Sequence, residues 1–175
     1  MLPRPEQLPR PIRVLFLCTS NSARSQIAEA VLTHKGRDHF RVASAGIAPA
    51  ARIHPAAIAA LAEIHIDWSH ARPKGVDAVT GELWDFIITT CDRSRESCPS
   101  FPGQPVYAHW GVPDPAAVEG AQQGKAFTNT VGLLAWQLDL MLALRPELLE
   151  QAAAEARLKQ IGLAHPDASA SVPSP

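Results

Sequence analysis

The 175-residue sequence predicts a single-domain α/β protein, a four-stranded parallel sheet flanked by helices on both faces. Three observations carry this. Apolar, β-branched runs without polar alternation, such as IRVLFL at 12–17, read as strands buried on both sides. Runs with helical spacing separate those strands, so neighbouring strands pair in parallel through crossovers. A cysteine or a polar loop follows directly on three of the strands, at the edge where such sheets bind ligands.

The elements follow in order. Residues 1–11, MLPRPEQLPRP, form a proline-rich N-terminal arm. The strand at 12–17 leads into a helix at 25–35, with Ile27, Ala28, Val31 and Leu32 on one face. FRVASAG (40–46) is a short strand ending on Gly46. A helix at 55–64 starts on Pro55, a favoured first helical residue. WDFIITT (84–90) is a third buried strand and QPVYAHW (104–110) a weaker fourth. A long helix at 127–144 turns Val131, Leu134, Leu138 and Met141 inward, and a last one at 146–162 starts on Pro146 with Gly162 as its C-cap. The folded domain therefore spans 12–162, and 163–175 reads as a disordered tail.

Hydrophobic residues make up 46% and charged residues 19%, with a formal net charge of −1. Such a balance speaks against a general nucleic-acid or membrane-surface role, since both need a basic excess. No run approaches the ~20 apolar residues of a membrane span. The N-terminus has no apolar h-region, so a cytoplasmic location is expected. Three cysteines, an odd count, suit reduced thiols with catalytic or redox work rather than a disulfide scaffold. Nothing in the pattern calls for a cofactor.

Cys18 ends the first strand and Arg24 opens the next helix. Between them Thr19, Ser20, Asn21, Ser22 and Ala23 are small enough to curl around an ion. Successive N–H groups would converge there with a helix N-terminus into an anion nest. Arg24 adds a planar fork for two oxygens of a tetrahedral oxyanion. The same positive field favours a Cys18 thiolate, a nucleophile aimed at the bound ion. Ser25 would hydrogen-bond that sulfur and Asn21 hold the loop. The alternative is a buried structural cysteine before an ordinary turn.

Cys91 and Cys98 are seven residues apart. There is no C-x2-C pair, so a zinc site is unconvincing and no metal is expected. The spacing suits one helix face, with Cα atoms about 10.5 Å apart. A disulfide needs less than roughly 7 Å, so a helix here must unwind before the sulfurs join. The alternative is two incidental core cysteines. Asp114, followed by Pro115, is equally a general acid for a leaving oxygen and a helix N-cap. Both roles are compatible. His109 lies beside this loop and would orient it, whereas His34, His39, His65 and His70 read as surface residues.

CTSNSARSQIAEA resembles the active-site loop of the low-molecular-weight tyrosine phosphatase fold, and SAG (44–46) and HPAAIAALAEIHID (54–67) resemble that family's next segments. Within it the sequence is most similar to the arsenate reductases, from about Ile12 to Leu144. The resemblance implies arsenate reduction by a three-cysteine relay. Cys18 attacks arsenate, Cys91 attacks Cys18 as arsenite leaves, and Cys98 attacks Cys91. A thioredoxin or glutaredoxin then reduces the Cys91–Cys98 disulfide. It also favours Asp114 as the general acid, and implies arsenate or phosphate at Thr19–Ser25.

Three positions depart from the pattern. Ser20 stands where a glycine is usual. Ala116 and Ala117 stand where tyrosine phosphatases carry ring-stacking aromatics, which counts against a phosphotyrosine substrate. Some family reductases bind potassium beside the loop. Asn21, Glu29 and Ser44 match its ligands, but Lys74 replaces an aspartate, so its ammonium is expected in the metal's place. Two other functions fit the loop alone: a phosphatase acting on phosphate monoesters, or a non-enzymatic oxyanion or redox sensor.

Overall fold

The computed structural model describes residues 10–144 and 151–164, with the side chains of 151 and 152 left out. Four strands, β1 (Ile12–Cys18), β2 (Phe40–Gly46), β3 (Phe86–Thr89) and β4 (Val106–His109), form one parallel sheet in the order β2-β1-β3-β4. The helices are α1 (Arg24–Gly36), α2 (Pro55–Glu63), α3 (Asp92–Glu96), α4 (Gln123–Ala143) and α5 (Gln151–Leu163). Among the described residues no helix is long and apolar enough to cross a membrane.

Alternate residues of β1 point to opposite faces, and both faces are buried. Val14 and Phe16 join the larger core with Ile27, Leu61, Trp110, Leu134 and Leu158, from β4's end and helices α1, α2, α4 and α5. Leu15 and Leu17 join the smaller core of Ala45, Val79, Trp84, Ile87 and Phe101. The two faces are thus unequally covered. Four long helices share one side; loop residues, with Cys98 packed against them, cover the other.

Some boundaries move. Trp84 is buried but precedes β3, and α4 starts at Gln123 rather than at 127. Gly162 is not a C-cap, because α5 continues to Leu163. A Cβ at Gly162 would lie 2.1 Å from the His109 carbonyl oxygen, so the glycine is there for close approach of α5 to β4. The tail expected from 163 therefore loses its first residue to the helix. The proposed arm, helix start at Pro146 and tail lie mostly outside the described residues. Arg10, at the arm's end, donates to both Asp85 carboxylate oxygens at 2.8 and 2.7 Å.

Candidate active site

β1 delivers Cys18, 2% exposed, to the carboxyl edge of the sheet. The next loop folds against residues 47–54. The carbonyls of Cys18, Thr19, Ser20 and Ser22 accept from the N–H groups of Ile47, Ala48, Ala50 and His54 at 2.8–3.1 Å. With these carbonyls drawn outward, the Asn21 N–H turns inward and donates to Cys18 Sγ at 3.1 Å. Ser25 Oγ lies 2.8 Å from the same sulfur. Ala23, the N-cap of α1, offers no side-chain acceptor, so the helix's first N–H groups face the loop. Gly46 pairs with Cys18 across the sheet, and a Cβ there would meet Thr19 O at 2.7 Å.

The left-handed residue of the loop is Asn21, with φ 50°, and not Ser20. Asparagine enters that region at low cost, so serine carries no strain here. Asn21 is fully buried and ties the loop together. Its amide donates to Ser25 Oγ (2.9 Å) and Ser44 Oγ (2.8 Å). Its carbonyl accepts from Gln26 Nε2 (3.0 Å) and Lys74 N (2.8 Å). Trp68 Nε1 in turn donates to Gln26 Oε1 at 2.8 Å.

Behind the loop, Ser44 donates to Glu29, and Lys74 Nζ lies 3.4 Å from the same carboxylate oxygen. Burial pushes the Glu29 carboxyl up, against the opposing pull of Lys74 and Ser44. This donor set does not fit a potassium ion, because Lys74 places a cation where the ion needs an oxygen. Among the described residues no cluster of three His, Cys, Asp or Glu is placed to hold a metal.

Arg24 closes the other side. Its Nη1 donates to Val112 O at 3.1 Å and its Nη2 stands 3.6 Å from Asp114 Oδ2. Asp114 Oδ1 accepts from Ala116 N at 3.1 Å, capping the 3-10 turn Pro115–Ala117. One carboxylate thus caps a turn and faces the guanidinium of the loop.

A cysteine-ended strand, an anion-shaped loop, an arginine and a facing Asp-Pro define this site. The family profile for low molecular weight phosphotyrosine protein phosphatase matches residues 13–151. The chain belongs to that family. An arsenate reductase of Halalkalibacterium halodurans is 38% identical over 112 residues, which is 64% of this chain and 80% of the relative. A solved arsenate reductase in its phosphate-binding state superposes with a TM-score of 0.63 at 26% identity, over 76% of this chain and 98% of the other. A Corynebacterium glutamicum thioredoxin-dependent arsenate reductase gives 0.58 at 28% identity, over 80% and 67%.

In this member of the family the second cysteine sits at the lip of the loop. Cys91 is buried at the N-cap of α3, with Thr19 Oγ1 at 3.3 Å and Ser94 Oγ at 3.2 Å. Burial pushes its thiol up, but Ser94, Thr19 and the Arg24 charge outweigh that and hold it below the ordinary cysteine value. Cys98 is partly buried beyond the helix, and burial pushes its thiol up. All three are free thiols. The expected helix between Cys91 and Cys98 is shorter than the spacing suggests and ends at Glu96.

Sequence reasoning brought Cys18, Arg24, Ser25, Asn21, Glu29, Ser44, Lys74, Cys91 and Asp114 to this region, and the structure places them together. It misplaced His109. That residue ends β4, and its ring joins Thr89 Oγ1 (2.8 Å) and Asp92 Oδ1 (3.1 Å), not the Asp114 loop. It missed Ser94, Gln26 and Trp68. Ser94, three residues after Cys91 in a helical stretch, carried a local signal; Trp68 carried none.

Proposed function

We propose that the chain reduces arsenate to arsenite by a three-cysteine relay. The observation that carries this is Cys91 against Thr19, one residue from Cys18, with its thiol pulled toward the thiolate. A phosphatase of this fold needs Cys18, Arg24 and Asp114; it has no use for a second activated sulfur at the loop.

The loop N–H groups and Arg24 bind the oxyanion. The Cys18 thiolate attacks arsenic, and Asp114 protonates the departing oxygen, which leaves as water. The Cys91 thiolate then attacks Cys18 Sγ. An S–S bond forms, the S–As bond breaks, and its electron pair stays on arsenic, which leaves as arsenite. Cys98 attacks Cys91 Sγ and returns Cys18 as thiolate. A thioredoxin or glutaredoxin dithiol supplies two electrons to reopen Cys91–Cys98, in a cytoplasmic setting that keeps thiols reduced. The Lys74 ammonium takes the place of a metal behind the loop, neutralising Glu29. Slow hydrolysis of phosphate monoesters is a by-product of the same cradle.

The test follows NADPH oxidation with arsenate, thioredoxin and thioredoxin reductase. Wild type turns over, whereas Cys91→Ser and Cys98→Ser do not, yet both still hydrolyse an aryl phosphate slowly. Arsenate turnover surviving in either serine variant refutes the relay.

A further inference from the structure

Resting on the relay, we infer that His109 is a positioning residue that latches α3 through Asp92, holding Cys91 at the anion loop and Cys98 away from it.

Cys91 and Cys98 flank α3, which spans Asp92–Glu96. Five helical residues and the cap at Ser97 separate the two cysteines, whereas a disulfide needs Cα atoms within roughly 7 Å, so in the proposed relay α3 opens as the sulfurs join. Asp92, adjacent to Cys91, moves with that opening. What holds it is therefore part of the exchange.

The helix itself holds weakly. It has five residues and no side-chain N-cap hydrogen bond, well below the length at which a helix stands alone. Inside it, Asp92 pairs only with exposed Arg95 at 3.2 Å. Beneath it, Ser94 Oγ reaches Cys91 O at 2.8 Å and Leu17 O at 3.2 Å. Among the described residues, the bond that reaches across from Asp92 to another element is His109 Nε2–Asp92 Oδ1, at 3.1 Å.

His109 is well anchored. Its Nδ1 meets Thr89 Oγ1 at 2.8 Å on the neighbouring strand β3. An Asp92 carboxylate oxygen can only accept, so a neutral ring bonded to it carries its proton on Nε2, and Nδ1 is left to accept from the Thr89 hydroxyl. Burial, then the Arg95 charge, hold the ring's pKa below the ordinary histidine value, so the neutral form prevails at neutral pH. Its main chain cannot shift either. Trp110 Nε1 donates to Leu158 O at 3.0 Å, and Gly162 of α5 packs on the His109 carbonyl. One end of the latch is the rigid sheet and the other is the first residue of the segment that must unwind.

The latch acts on the two exchanges in opposite senses. It keeps Cys91 beside Thr19 for attack on Cys18, and it resists the opening that lets Cys98 reach Cys91. It also belongs to the reduced state alone, so it biases the Cys91–Cys98 couple.

The test is the equilibrium of that couple in glutathione buffers, without arsenate, in the full chain carrying Cys18→Ser. His109→Ala removes the latch and favours the disulfide about fivefold, a potential about 20 mV more negative. His109→Gln, which keeps an N–H near the Nε2 position, stays at the parent potential. Asp92→Asn, an exposed change that leaves folding intact, shifts part of the way. A disulfide of equal potential in all variants overturns the latch alone. A shift shared by His109→Gln assigns the effect to packing and overturns it too. If the parent forms no Cys91–Cys98 disulfide, the relay falls and the latch with it.

Discussion

Replacing Asn21 by alanine tests whether one buried amide holds the anion loop. The substitution removes four hydrogen bonds, to Ser25, Ser44, Gln26 and Lys74. Three of those partners keep another contact: Ser25 with Cys18, Ser44 with Glu29, and Gln26 with Arg72 O. The partly buried Lys74 N–H loses its acceptor, at a cost of about 1–3 kcal/mol. Alanine must also hold φ 50°, which costs about 1 kcal/mol more than asparagine there. The sum is about 2–4 kcal/mol. At roughly 2–4 °C per kcal/mol for a chain of this size, Tm falls by roughly 5–15 °C. Asn21→Gly loses the same bonds without the backbone strain, so it should be more stable than the alanine variant by about 1 kcal/mol. Calorimetric melting gives the order wild type, glycine, alanine. Titration with phosphate should show binding weakened at least about tenfold in both, since 1.4 kcal/mol of loop distortion suffices. Wild-type phosphate affinity in Asn21→Ala would refute the claim that this network shapes the cradle. Equal stability of the two variants would refute the strain.

Thr19→Val removes the hydroxyl beside Cys91, so the Cys91 thiol should rise toward the ordinary cysteine range. In a chain also carrying Cys18→Ser and Cys98→Ser, the pH profile of iodoacetamide alkylation should move to higher pH; an unmoved profile refutes the contact. Burial pushes the Asp85 carboxyl up, but the Arg10 hydrogen bonds, the Arg13 N–H and both charges hold it below the usual carboxylate value. Its stabilisation is therefore present above the unfolded pKa and lost as pH falls through the folded one. Urea unfolding between pH 3 and 7 should show a shallower acid-side loss in Asp85→Asn. If the Lys74 ammonium beside Glu29 stands in for a metal, as proposed, exchanging sodium for potassium should leave both Tm and turnover unchanged. A clear rise with potassium would refute that.

The sheet was readable because β1 and β3 are buried on both faces at their centres, where the sequence shows the apolar runs VLFL and FII. The loop was readable because its chemistry is local: a cysteine, small residues and an arginine within seven positions. Long-range partners were not. Nothing in the sequence ties Trp68 to Gln26, or His109 to Asp92, because those contacts exist only once separate connections have packed. Ser20 drew attention as the position needing glycine, whereas the chain solved the same turn one residue later with Asn21. Gly162 has the look of a helix end by composition. Its real reason is the His109 carbonyl, which sequence spacing cannot see. The seven-residue interval between Cys91 and Cys98 suggested one helical face but carried no information on where the helix stops.

The two halves of the site are built to different standards, and the proposed chemistry needs that difference. The nucleophile's loop is pinned from every side: its carbonyls by residues 47–54, its left-handed residue by four side-chain bonds, its sulfur by Ser25 and Asn21 N. An anion cradle works by having its dipoles in place before the ion arrives, so rigidity there is catalytic. Cys91 and Cys98, the resolving pair of the proposed relay, flank a five-residue helix whose Asp92 contacts lie at the surface. That softness suits the proposed relay, in which a disulfide between residues flanking α3 would open the helix in each cycle. Were α3 lengthened and capped, Cys91 would still attack Cys18, but the exchange would stop at the Cys18–Cys91 disulfide. Turnover would then be limited by α3 opening, whose equilibrium each added kcal/mol shifts about fivefold against it. Phosphate binding, which needs only the rigid half, would be untouched.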